Sequence, residues 1–146
     1  MSSLYRLIYG SRAELAQFGG ASEVTQIVET SRRNNAAVDV TGILICHDGV
    51  FIQALEGPKQ AVEAVYQRVS GDPRHSDIRI VSTEVVGDRL FGSWSMCAAE
   101  LAANDALILT FIGDAESLDP EFLDPVPTLN LLSAVAQMQD LPAQAA

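Results

Sequence analysis

No apolar run in this chain approaches the ~18 residues that cross a bilayer, although 48% of its 146 residues are hydrophobic. The start, Met1-Ser2-Ser3-Leu4-Tyr5-Arg6, lacks the apolar core of a signal peptide, so a cytoplasmic protein is expected, with no membrane partner. Histidine is scarce: His47 and His75 stand alone, with no cysteine at ligand spacing, and no metal site is expected. Cys46 and Cys97 both sit in apolar strand patterns and read as free buried thiols. Neither Gly-x-Ser-x-Gly nor a Cys-His context is present, and no dinucleotide-type glycine pattern occurs, so nucleophilic catalysis is not indicated. Positive charge is short as well. The net charge is −10, which disfavours nucleic acid as a partner. All nine Lys and Arg precede residue 100, whereas eight of the 19 acids lie in residues 100–146. That shift divides the chain into a core, residues 1–100, and an extension, residues 101–146, expected to pack as one compact unit. The length suits a single domain with a substantial core.

What is present centres on Asp48-Gly49-Val50-Phe51-Ile52-Gln53-Ala54-Leu55-Glu56-Gly57-Pro58. Asp-Gly signals a turn. Val50 to Leu55 is β-prone and apolar apart from Gln53. Gly57-Pro58 then opens a helix. A strand this apolar is buried on both faces. The amide at its centre must find partners or cost about 1–3 kcal/mol.

Taken in order, residues 4–11 form a first strand with Tyr5, Leu7 and Tyr9 on one face and Arg6 and Ile8 on the other. A loop follows. Ser22 caps a first helix that buries Val24, Ile27, Val28 and Ser31 and ends near Arg32-Arg33-Asn34-Asn35, where Asn tolerates a left-handed exit. Residues 40–47 form the second strand and join the third as a hairpin. The second helix, from Pro58 to about Ser70, buries Ala61, Val62, Val65, Tyr66 and Val69, and Gly71 with Pro73 stops it. The fourth strand is expected over 78–86 and the fifth over 94–99. This β-α-β-β-α-β-β order is an α+β, ferredoxin-like plan with one added strand and both helices on one face. Strands one and three are then central neighbours, and Tyr9 and Gln53 share the helix-covered face. The other face carries Ile8, Ile52 and either Ile43 or Leu44, and needs a cover. Residues 106–112 are apolar, as a helix or a short strand. A helix over 128–139, with Leu129, Leu132, Val135 and Ala136 on one stripe, supplies the cover, leaving 142–146 frayed.

Polar side chains converge on one region. Tyr9 and Gln53 lie under the helices, Asn34 and Asn35 end the first helix, and Arg68, Asp72, Arg74 and His75 follow the second. Aliphatic Ile27 and Val69 face inward. This set suits a flat ring with a polar edge and a phosphate tail. Each member also has a plainer role, as strand tyrosine, helix stop, charged turn or, for Trp94, core. From the residues alone the reading ends at an α+β domain suited to a planar ligand.

The order and spacing resemble the BLUF family, flavin-binding blue-light sensors. The matching stretches are residues 4–12, 31–35, 40–44, 49–58, 72–75 and Trp94-Ser95-Met96, spread over residues 4–100. The acidic extension is similar to that of short, stand-alone members. The resemblance implies that Tyr9 donates an electron and a proton to the excited flavin and that Gln53 bridges Tyr9 to the ring. It implies that Asn34 and Asn35 bind the pyrimidine edge and that Ile27 and Val69 sandwich the ring. Arg68, Asp72, Arg74 and His75 line the ribityl and phosphate side, with Ser31 and Phe51 completing the cofactor-facing set. Trp94 and Met96 are the switch residues on strand five. The cofactor implied is FAD, with FMN as the alternative flavin. Gly10 and Val69 depart from the family's commoner residues without removing a polar contact. The function implied is a photoreceptor without turnover, a homo-oligomer that signals to a separate downstream protein. A small flavin reductase and a ferredoxin-like interaction module without ligand are the alternatives. Dark bleaching by NAD(P)H favours the first and colourless protein the second.

Overall fold

The fold was analysed in a computed structural model, which describes residues 4–13, 34, 37–47, 50–71, 75–91, 97–100 and 123–145. At residues 13, 46, 47, 75, 97–100 and 138–145 the description is of the backbone alone. Most of the expected first helix, the 106–112 segment and both cysteine side chains therefore lie outside the described residues.

The strands are β1 (Leu4–Ala13), β2 (Thr41–His47), β3 (Val50–Gly57), β4 (His75–Val86) and β5 (Cys97–Glu100). The helices delimited among the described residues are α1 (Lys59–Ser70), between β3 and β4, and α2 (Pro125–Ala145), after β5. The sheet runs β4-β1-β3-β2-β5. β1 and β3 are central and antiparallel, as the ferredoxin-like order requires, and the added β5 pairs parallel to β2.

Strand parity sorts the core into two layers. Leu7, Tyr9, Leu44, Phe51 and Leu55 pack with Val62 and Val65 of α1. Ile8, Ile43, Ile45, Ile52 and Ala54 pack on the other face with Leu131, Leu132, Val135 and Ala136 of α2, and with Phe91. The C-terminal extension thus covers the second face, and the register Ile43↔Ala54 puts Ile43, not Leu44, beneath it. Gly42 is required where β2 meets β3: a Cβ there would lie 2.1 Å from the Ala54 carbonyl oxygen.

Four local expectations are corrected. β4 begins at His75 rather than residue 78, because β1 runs on to Ala13 and offers partners: Ala13 pairs with His75 and Arg12 with Ser76. β5 ends at Glu100, which pairs with Cys46, rather than at residue 99. Among the described residues between the first helix and β2 the left-handed one is Asp39 (φ 61°); Asn34 is itself helical, and Asn35 lies outside the described residues. α2 is longer at both ends. Pro125 and Pro127 occupy its first turn, where a missing N–H breaks no helix bond, and the Thr128 amide donates to the Asp124 carbonyl at 3.1 Å. The backbone then stays helical through Pro142 to Ala145, giving up one ladder bond. Gly71 closes α1 as expected, but in right-handed backbone (φ −87°). Among the described residues no helix is long and apolar enough to cross a membrane.

Candidate functional site

Tyr9 and Gln53 stand directly opposite each other on β1 and β3. They are 2% and 4% exposed. The pairing follows from the register of two central strands, and burial follows from α1 lying across that face. The Tyr9 hydroxyl donates to Gln53 Oε1. With its carbonyl accepting from the phenol, the carboxamide presents hydrogens from Nε2.

Helix α1 shapes the surroundings of this pair. Its Val62, Val65, Tyr66 and Val69 recur at helical spacing. The Tyr66 ring meets the Tyr9 ring edge-on, with centroids 5.6 Å apart and planes at 67°, which fixes where the Tyr9 hydroxyl points. Burial raises the Tyr66 phenol above its ordinary value. Phe51 lies two residues before Gln53 on the same face, fully buried, and Val69 packs half-buried against the same cluster.

The structure therefore brings Tyr9, Phe51, Gln53 and Val69 together. Asn34 is helical and half-buried, and Arg68 is exposed on the last turn of α1. His75 opens β4. Ile27, Ser31, Asn35, Asp72, Arg74, Trp94 and Met96 lie outside the described residues. The arrangement suits a heteroaromatic ring with a carbonyl edge: a buried amide, a phenol hydrogen-bonded to it and an aliphatic wall from α1.

Sequence reasoning missed a second polar cluster, on the opposite face of the same strand. Glu56 is 0% exposed. Its Oε2 accepts from Arg6 Nε at 2.8 Å and from the Leu90 amide at 3.0 Å, and its Oε1 accepts from the Phe91 amide at 2.7 Å. Arg89 adds bonds to Thr41 Oγ1, the Glu56 carbonyl and the Asp39 carbonyl. The segment that leads toward β5 is thereby tied to the ends of β1, β2 and β3. The signal was available: a carboxylate in a strand buried on both faces demands partners even more than an amide does.

A family model described as BLUF, sensors of blue-light using FAD, matches residues 4–97. Over 78 residues the chain is 38% identical to photoactivated adenylate cyclase subunit beta of Euglena gracilis, a match covering 53% of this chain and 9% of that protein. Over 93 residues it is 33% identical to the blue light- and temperature-regulated antirepressor BluF of Escherichia coli (strain K12), covering 64% of this chain and 23% of the relative. The chain spans less than a quarter of the length of either. Among solved structures, BlrB, a BLUF protein in its dark state, matches with a TM-score of 0.72 at 32% identity, over 92% of this chain and 98% of that one.

Proposed function

This chain belongs to the BLUF family, sensors of blue light using FAD, and from that premise we propose that it is a blue-light photoreceptor built on the Tyr9–Gln53 pair. The observation that carries the reading is the buried hydrogen bond from the Tyr9 hydroxyl to Gln53 Oε1. When bound, the flavin supplies blue-light absorption and, once excited, an acceptor for one electron.

Tyr9 then holds the mobile proton. Oxidation of a phenol makes its O–H strongly acidic, and the proton has a ready path along the existing bond to Gln53 Oε1. A carboxamide protonated at oxygen can release a proton from nitrogen toward the group that took the electron; when that proton and the electron return to Tyr9, the side chain is left as its imidic tautomer. Rotation of the side-chain amide reaches a similar end, because it exchanges the positions of donor and acceptor. Either change alters what Gln53 offers its neighbours after Tyr9 has regained its electron and proton. No substrate is consumed, so the protein senses without turnover of its own. The altered amide is a local hydrogen-bond event able to bias a two-state element, here Trp94 and Met96 before β5. Ile27, Ser31, Phe51 and Val69 would hold the ring and Asn34 and Asn35 its polar edge. Arg68, Asp72, Arg74 and His75 would hold the ribityl and phosphate groups. Output passes by contact from a cytoplasmic homo-oligomer to a separate signalling protein; the named regulatory role of the E. coli antirepressor supports a protein-contact output. Residues 1–100 hold the chromophore and 101–146 close the second face of one compact unit.

Absorption spectra before and after blue illumination test this. Yellow protein whose spectrum shifts to the red and recovers in the dark is expected. The Tyr9→Phe variant should bind flavin and lose the shift. Colourless wild-type protein, or a full photoresponse in Tyr9→Phe, overturns the reading.

A further inference from the structure

Among the described residues β4, 12 residues long, is an edge strand of the sheet. Long apolar edges invite pairing, and this one exposes Ile80 (50%) and Val85 (68%). Its register with β1 shifts near its start, between the Arg12–Ser76 and Gly10–Arg79 pairs, and again in the middle: Ser82 pairs with Ile8, but Ile80, two residues back, pairs with the very next residue, Tyr9. Val81 is the extra residue of a bulge and packs against the α2-side cluster.

The bulge makes the strand symmetrical about the Val81–Ser82 peptide. Ile80, Thr83 and Val85 stand opposite Tyr9, Leu7 and Tyr5 and so belong to the α1 side, where Ile78 also packs. Arg79, Ser82 and Glu84 stand opposite Gly10, Ile8 and Arg6 and belong to the α2 side. Outward from the centre, Ile80 matches Thr83, Arg79 matches Glu84, and Ile78 matches Val85, each couple on one face. In a regular strand a two-fold axis between adjacent residues would set residues of opposite faces against each other, because parity alternates.

We infer that a second copy of this chain pairs antiparallel with β4 about that point, extending the sheet across a two-fold axis. The pairing sets Arg79 against Glu84 of the second copy, and Ile78 against its Val85, each twice. Opposite charges directly across strands attract. Within one protomer Glu84 has Arg6 Nη1 at 3.8 Å, so the added guanidinium would place the carboxylate between two cations. The inference rests on the homo-oligomer reading and names its surface. Eight paired residues per strand make a small contact, so the dimer is weak and concentration-dependent.

Sedimentation equilibrium of the full chain from about 10 µM to about 1 mM tests it. A reversible dimer is expected. Arg79→Glu and Glu84→Arg should each weaken it about tenfold, since both symmetry-related pairs turn repulsive. The double variant should regain most of the affinity, which a misfolded chain cannot do. Amide exchange over residues 78–85 should slow as wild-type concentration rises. A monomer at every concentration overturns both the surface and the homo-oligomer. A dimer indifferent to the charge reversals, or a native double variant no better than the singles, overturns the β4 surface and leaves the homo-oligomer standing.

Discussion

Removing the Glu56 carboxylate should cost this protein a large part of its stability. Glu56→Ala takes away three bonds at once, from Arg6 Nε at 2.8 Å, the Leu90 amide at 3.0 Å and the Phe91 amide at 2.7 Å. The Arg6 side chain is 7% exposed and would keep Glu84 only at 3.8 Å. Breaking a buried ion pair from one side costs about 3–5 kcal/mol, because the remaining charge stays desolvated. That is about a fifth or more of the stability of a typical domain, about 5–15 kcal/mol. With a urea dependence of about 2 kcal/mol per M, the unfolding midpoint by far-ultraviolet circular dichroism should fall by about 1.5–2.5 M. Glu56→Gln should lie between, since one oxygen still accepts while the new NH₂ faces donors. Arg6→Met should cost less than Glu56→Ala, because two backbone N–H groups would continue to solvate the carboxylate. A Glu56→Ala midpoint within about 0.5 M of wild type, or the reverse order of the two variants, refutes the reasoning.

Gly42→Ala drives a Cβ to 2.1 Å from the Ala54 carbonyl oxygen. Overpacking of this kind costs about 1–3 kcal/mol and should lower the melting temperature by several degrees in a scanning calorimeter. Leu132→Ala empties a fully buried site under α2 and should cost about 2–5 kcal/mol in the same urea assay, with the flavin spectrum unchanged because Gln53 faces the other layer. Burial raises the Tyr66 phenol above 10.0, so the folded state keeps a proton that the unfolded state releases. Stability present below pH 10 is then lost as pH rises from there through the folded value, and Tyr66→Phe should flatten that decline in urea midpoints taken between pH 9 and the alkaline limit of folding.

The sheet was legible because its signals were periodic. Alternation in β1 and β3 gave the parity that unites Tyr9 with Gln53, and the stripe on α2 identified the cover for the opposite face. Where an element's extent depended on its neighbour, local pattern fell short. Asp72 to His75 read as a charged turn, yet β1 reaches far enough to pair with His75 and Ser76, and Arg12 Nε lies 3.1 Å from Asp77 Oδ2. Residue type alone favoured asparagine for the left-handed exit that Asp39 takes. The bulge at Val81 has no composition signature at all, since it arises from pairing. The candidate site divided in the same way. Its Tyr9–Gln53 centre follows from register and was readable, whereas the exposure of Arg68 depends on which side of α1's last turn faces the sheet.

Gln53 and Glu56 show why one strand can serve two layers. They lie three residues apart, an odd offset, so a pleated strand must send them to opposite faces. Gln53 meets the phenol under α1. Glu56 holds the Phe91 amide, and the Phe91 side chain is buried among the residues packed beneath α2. A displacement of β3 along its own axis would therefore move the acceptor of Tyr9 and the anchor of Phe91 together, whereas a rotation of the Gln53 amide alone moves neither backbone. The Glu56 variants separate these cases. If light acts through β3 as a body, loosening the Phe91 anchor with Glu56→Gln should change the rate of dark recovery while the size of the red shift holds. If the signal stays within the amide, recovery should match wild type in every variant that remains folded.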